Sequence, residues 1–179
     1  VVDNLSTDHT QSVVEDAIRT SAIAIRSFVE PNAGVSAARN RAIREARGDW
    51  IASIDDDEIA NPDWLQQLVD AAQSKDVRCV GGRVQLQLEK DEVEKLPSEC
   101  RHLLGESAPG LTEQLYTRRF TPGAGNLLVH RSVFAEVGLF DESLREGGED
   151  TDLFRRIHQA DIQAWYVPTA IVRHHVPEY

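Results

Sequence analysis

Residues 51–65, IASIDDDEIANPDWL, set three aspartates and a glutamate directly behind a short apolar run. Two like charges 4 Å apart repel by roughly 4 kcal/mol at an effective dielectric of 20. Four acids in succession are therefore a local cost unless solvent or a cation offsets it. Carboxylates two residues apart in extended backbone point the same way, so Asp55 and Asp57 can face one cation. Magnesium or manganese bound mainly through substrate phosphates needs only one or two protein carboxylates. A solvated acidic turn ahead of a helix capped at Asn61 fits the same spacing equally well. A calcium loop does not fit, because it asks for a third acidic ligand and then glycine, where this chain has Ile59 and Ala60.

Other groups have the chemistry for a site. Glu149 and Asp150 open a helix in GGEDTDL, where the helix dipole favours a carboxylate by roughly 0.3–1 kcal/mol. That alone accounts for two acids. His174 and His175 end the last apolar run; neighbours on a strand point to opposite faces, so at most one joins a site. Arg118 and Arg119 suit phosphate oxygens or a solvated loop equally. His9, His102, His130 and His158 carry no expected role.

Alternating helical and strand patterns must position these groups. Residues 10–22 carry Val13, Val14, Ala17 and Ile18 on one face of a helix, and AIRSFVE reads as a strand. VSAARNRAIREARG places Ala38, Ala42 and Ala46 on one stripe, with Ser36 as N-cap and Gly48 as the stop. DWIASI is a strand. NPDWLQQLVDAAQ is a helix capped by Asn61, with Pro62 at its first position and Trp64, Leu65, Leu68, Val69 and Ala72 inward. VRCVGGRVQLQL is a strand interrupted by a glycine pair. Residues 89–122 mix charge, Pro and Gly without a clean period and read as an insertion or loop region. NLLVH then reads as a strand, SVFAEVG and EDTDLFRRIHQA as helices, and QAWYVP and AIVRHH as two strands. This alternation argues for a three-layer α/β sheet protein, and in open α/β sheets ligands bind beyond the carboxyl ends of strands.

The 179 residues suffice for one core. A net charge of −11 argues against nucleic acid or anionic membrane as a partner of the whole surface. Cys79 and Cys100 lack metal spacing and read as free thiols in a reducing compartment. No apolar run approaches a membrane span, and no signal peptide is visible. The chain opens on VVDNLSTDHT without an initiator methionine, which suggests that the domain's first strand and helix lie upstream.

Four stretches in order, VVDNLSTDHT, EPNAGVSAARNRAIREARGDWIASIDDDE, GLFDESLREGGEDTDLFRRI and YVPTAIVRHH, carry a resemblance over nearly the whole chain outside residues 89–122. The chain resembles the family 2 glycosyltransferases. The resemblance implies a GT-A-like, Rossmann-like three-layer sandwich with a mostly parallel central sheet, its first strand missing from this fragment. It implies a single domain over 1–179, with a nucleotide-sugar-binding part (1–88), an irregular insertion (89–122) and an acceptor-binding and catalytic part (123–179).

The activity implied is inverting, metal-assisted transfer of a sugar from a nucleotide diphosphate to a saccharide, lipid-linked or protein acceptor, of the hexosyltransferase type and suited to cell envelope polysaccharide synthesis. By resemblance Asp3 holds the nucleotide base, with Asn4 and Ser6 as weaker neighbours. Asn32, Gly34 and Arg39 belong to the loop and helix start that meet the donor. Asp55 faces the ribose or the metal, and Asp57 holds manganese or magnesium, with His174 completing the metal shell or touching the diphosphate. Asp150 is the base that takes the acceptor proton. Glu149 orients the acceptor or Arg156, Arg156 is itself a substrate-binding residue, and Asp141 and Glu142 are turn or acceptor-binding acids.

Leu153 and Ile157 stand where processive synthases carry Gln and Trp, which favours single transfers. The rivals are a nucleotidyltransferase, whose Gly-rich basic loop near the start is lacking here, and a non-catalytic donor-binding or scaffolding domain. The intact Asp55, Asp57, Asp150 and His174 argue against the latter. The expected place is the cytoplasm, with peripheral attachment to the inner face of a membrane as a variant.

Overall fold

A computed structural model describes residues 1–144 and 147–176; Arg145 and Glu146 of the GLFDESLREGGEDTDLFRRI stretch lie outside the described residues. The elements run β1 (Val2–Asp3), α1 (Thr10–Thr20), β2 (Phe28–Val29), α2 (Val35–Glu45), β3 (Trp50–Ser53) and β4 (Glu58–Ala60). They continue with α3 (Trp64–Lys75), β5 (Cys79–Leu86), α4 (Lys90–Lys95), α5 (Ser98–Leu103) and β6 (Gln114–Leu115). The last are β7 (Leu127–His130), α6 (Arg131–Val137), α7 (Glu149–Gln159) and β8 (Ala164–His174). The chain forms two compact units, Val1–Gly48 with Leu139–Leu153, and Asp49–Gly138 with Phe154–Tyr179.

In the first unit β1 and β2 pair in parallel, Val2 opposite Phe28 and Asp3 opposite Val29. Helix α1 has no fully buried residue, and Val13 is 64% exposed, so its expected apolar face is largely open. Helix α2 departs from expectation by one residue of phase. It buries Ser36, Ala37, Asn40 and Ile43 rather than an Ala38–Ala42–Ala46 stripe. Gly34, not Ser36, is the N-cap, at φ 130, a conformation glycine adopts without a Cβ penalty. Ala46, not Gly48, closes the helix.

The second unit holds a six-stranded sheet in the order β3-β7-β5-β8-β4, with β6 paired to β8. The mixed α/β class stands, but the strand directions correct the expectation of a mostly parallel sheet. Among the described residues of this sheet only β5–β8 is parallel, while β3–β7, β4–β8, β5–β7 and β6–β8 are antiparallel. Helix α3 buries Trp64, Leu68, Ala71 and Ala72 in the core of this unit, while Leu65 is exposed. It starts at Trp64 with Asp63 at the N-cap, not at Asn61 and Pro62. Asn61 is committed to the sheet instead, donating its backbone N–H to Ile171 O at 3.0 Å.

The two strands expected around Pro168 are one strand. The register against β5 jumps from Gly82–Val167 to Arg83–Ile171, leaving Pro168 to Ala170 in a bulge, where proline's missing N–H costs no ladder bond. Asn126 repairs the bulge. Its amide donates to Arg83 O and Ala170 O at 3.0 and 3.1 Å, and its Oδ1 accepts from Trp64 Nε1 at 2.7 Å. A Cβ on Gly82 would lie 2.1 Å from Ala170 O, which explains one glycine of the interrupting pair. Both cysteines are free; burial pushes the Cys79 thiol up to about 12, and Cys100 is exposed. Within 89–122 the helices are too short to show a period, and α4 is opened by a Glu89–Glu92 capping box. No helix among the described residues is long and apolar enough to cross a membrane.

Candidate functional site

The acidic loop is built by the second unit. Strand β3 ends at Ser53, Asp56 and Asp57 make a turn, and Glu58 opens β4. The expectation that Asp55 and Asp57 point alike in extended backbone is therefore corrected, because a turn breaks the alternation. Each acid finds a different partner. Asp57 Oδ2 lies 3.2 Å from His174 Nε2, and Asp57 O accepts from the His175 N–H at 2.8 Å. The antiparallel β4–β8 ladder that sets Glu58 opposite His174 holds these residues in place.

Asp55 keeps company with Glu58, whose Oε2 accepts from the Asp55 N–H at 3.3 Å. A Cβ on Gly125 would fall 2.6 Å from Asp55 Oδ2 and 2.8 Å from Glu58 Oε2, so the GAGN loop seats these carboxylates against bare backbone. Burial, with the charges of Asp55 and Asp57, pushes the Glu58 carboxyl up to about 7 against the Asp55 N–H and His174.

The donor set here is carboxylate oxygen plus one imidazole, which suits a hard or borderline divalent ion. Glu58 resists ionisation in the absence of a positive charge. The chemistry of these residues therefore fits the implied cation, although no three His, Cys, Asp or Glu side chains among the described residues converge as a ligand cluster. Arg118 and Arg119 are exposed in the tight turn between Thr117 and Phe120.

The first unit carries the other expected residues except Arg156. Asp3 ends β1, and its Oδ1 accepts from the Ser6 N–H at 2.9 Å; hydrogen bonds from Ser6 hold its carboxyl below the usual range. Asp3 lines a cavity of about 210 Å³ with Gln11, Val14, Glu15 and Phe28. Asn4 braces the loop that follows β2. Its amide donates to Glu30 O at 2.9 Å and Asn32 O at 2.7 Å, and its Oδ1 accepts from the Gly34 N–H at 2.8 Å. Asn32, Gly34 and Ser36 line a second cavity of about 220 Å³ with Glu142 and Leu144. The Ser36 hydroxyl, expected to cap α2, is buried with no partner among the described residues.

Helix α2 also grips the segment that leads to Asp150. Arg39 Nη1 lies 2.6 Å from Glu149 Oε1, with both side chains largely buried, and the guanidinium sits 5.7 Å from the Phe140 ring centroid. Asn40 donates to Phe140 O at 2.9 Å and Glu142 Oε1 at 2.8 Å, and accepts from the Phe140 N–H at 2.9 Å. Asp150 is half-buried in the first turn of α7, and its Oδ1 accepts from the Thr151 N–H at 2.6 Å. Asp141 accepts from the Ser143 N–H at 2.9 Å, as a turn acid does. Arg156, expected to bind acceptor, donates to Val137 O at 2.6 Å and Gly138 O at 3.3 Å, satisfying the end of α6.

Asn40, Glu58 and Gly125 escaped the sequence reading, and Asn4, expected only as a weaker neighbour of Asp3, braces the loop. His130, given no role, caps α6 through Nδ1, which accepts from the Ser132 N–H at 3.3 Å. The asparagine of the A-R-N run was the available signal for Asn40, since a polar side chain inside an apolar helix phase is rarely idle.

Comparison with known proteins bears on this arrangement. The family model for "Glycosyl transferase family 2" matches residues 1–138. A glucosyl-dolichyl phosphate glucuronosyltransferase of Haloferax volcanii is 34% identical over 134 residues, covering 74% of this chain and 42% of the relative. The succinoglycan biosynthesis protein ExoM of Rhizobium meliloti is 32% identical over 155 residues, covering 83% of this chain and 47% of the relative. The chain thus spans less than half the length of these two relatives.

Among solved structures, the mannosyltransferase PcManGT of Pyrobaculum calidifontis, in complex with GDP-Man and Mn2+, matches at TM-score 0.72 and 22% identity, covering 99% of this chain and 47% of that one. GalNAc-T7 with UDP, GalNAc and Mn2+ matches at TM-score 0.72 and 16% identity, covering 97% of this chain and 37% of that one. These likenesses show the fold, that of the GT-A glycosyltransferases. With the family model covering most of its length, the chain belongs to glycosyl transferase family 2.

Proposed function

We propose that this chain is the nucleotide-sugar domain of an enzyme that moves a hexose from a nucleotide diphosphate to an acceptor hydroxyl with inversion. The observation that carries the reading is the meeting of Asp57 with His174 at 3.2 Å, beside Asp55 and Glu58. Those residues would hold a divalent ion, manganese or magnesium. The ion, when bound, supplies positive charge to the departing diphosphate.

Asp150 takes the proton of the acceptor hydroxyl as that oxygen bonds to the anomeric carbon, and the bond from that carbon to the diphosphate oxygen breaks on the opposite face. Arg39 holds Glu149 at the start of α7 and so fixes the turn that bears Asp150. Asp3, Asn32 and Gly34 receive the nucleotide and its ribose. The Asn4 braces to Glu30, Asn32 and Gly34 support this role by keeping that loop in one conformation.

Leu153 and Ile157 are fully buried, so both positions serve the core instead of carrying polymer-directed side chains. This supports single transfers. The relatives named for dolichyl phosphate and succinoglycan work support a lipid-linked or saccharide acceptor. Asp150→Asn in the whole protein should lower transfer by about 10²–10⁴-fold and leave donor binding unchanged. Transfer near the parent rate would reject Asp150 as the base.

A further inference from the structure

The imidazole of His174 is enclosed from two sides. Its Nε2 faces Asp57 Oδ2 at 3.2 Å, and its side chain is 23% exposed. Its Nδ1 is buried and has no hydrogen-bond partner among the described residues. Gly105 lies beside this edge of the ring. A Cβ built on Gly105 would lie 3.2 Å from both Nδ1 and Cε1 of the ring, and 3.6 Å from Cγ. That is closer than a methyl group packs without displacing its neighbour.

Gly105 is itself held firmly. It follows α5 at φ 95 and donates to His102 O at 3.0 Å, while Glu106 donates to Arg101 O at 2.9 Å. Ser107 then exchanges both backbone bonds with Val84 of β5, at 2.9 and 3.1 Å. Strand β5 also pairs with β8, setting Leu86 opposite His174. The glycine and the imidazole are therefore fixed through the same strand.

We propose that Gly105 is a positioning residue, whose bare Cα is the surface against which the His174 ring is set toward Asp57. The segment that the sequence presents as an irregular insertion thereby determines the orientation of one candidate ligand. The inference rests on the cation reading of Asp57 and His174 for its consequence, and on geometry alone for the contact. A helix-ending glycine with no such role is the competing account, and Gly110 supplies the control. Gly110 also has a positive φ, 154, yet nothing lies within 4 Å of a Cβ built there.

The test uses the full chain. In the metal-free parent, the His174 Cε1 proton, assigned by comparison with His174→Gln, should cross-relax with the Gly105 α-protons. In Gly105→Ala that His174 resonance should move, and affinity for manganese alone should fall about 10–100-fold, as when a group that orients a ligand is lost. Gly110→Ala should leave both unchanged.

A folded Gly105→Ala with the parent resonance and the parent manganese affinity would overturn the proposal. So would absence of the cross-relaxation in the parent, which decides the matter if Gly105→Ala does not fold. A parent that binds no manganese but shows the cross-relaxation and the shifted resonance would count against the cation reading, and would uphold Gly105 as the residue that sets the ring.

Discussion

Glu58 is half-buried beside two further carboxylates, and its ionisation works against the fold. Its folded pKa of about 7 lies above the ordinary value of 4.5. The unfolded chain therefore releases this proton first, and the stability tied to Glu58 is whole below about 4.5 and is lost as pH rises through about 7. In metal-free protein Glu58→Gln should change nothing at pH 4 and raise unfolding free energy at pH 8 by about 1–2 kcal/mol, after discounting for partial exposure. Urea denaturation in a chelator measures this; equal effects at both pH values would contradict it. The acids of DDDE were legible because they are adjacent. Their division into Asp57 with His174 and Asp55 with Glu58 was not, because it depends on β8, 117 residues on.

At the scale of elements, helix α2 holds the segment that leads into α7. Its exposed and buried faces were misread by one residue because Asn40 occupies a core position that a hydrophobic period cannot register. Asn40 meets both backbone groups of Phe140 and the Glu142 carboxylate. Its loss leaves a buried N–H and a buried C=O unpaired, each worth about 1–3 kcal/mol. Asn40→Ala should therefore destabilise the protein by about 2–4 kcal/mol and lower transfer with it. Asn40→Asp, which turns the donor into a buried carboxylate oxygen facing Phe140 O and the Glu142 carboxylate, should lose at least as much. Chemical denaturation of the two variants decides this, and an Asn40→Ala loss below about 0.5 kcal/mol would contradict the role.

Strand β8 shows the opposite case. Its two halves were legible from their apolar runs, but Pro168 concealed their continuity because the bulge that tolerates it is created by β5 and Asn126.

At the scale of the molecule, the α/β class followed from alternating patterns, and the order of four motifs gave the family. Strand direction did not follow. Alternation favours parallel neighbours, whereas β7 and β4 enter the sheet antiparallel through long-range pairing that no local pattern encodes. The central claim is that Asp57 belongs to a metal-dependent nucleotide site, and calorimetric titration of the whole protein with UDP and with GDP, with and without manganese, tests it most directly. The account predicts binding of one nucleotide that requires manganese and is lost in Asp57→Ala. Binding of neither nucleotide by the folded protein, with or without the metal, would contradict it.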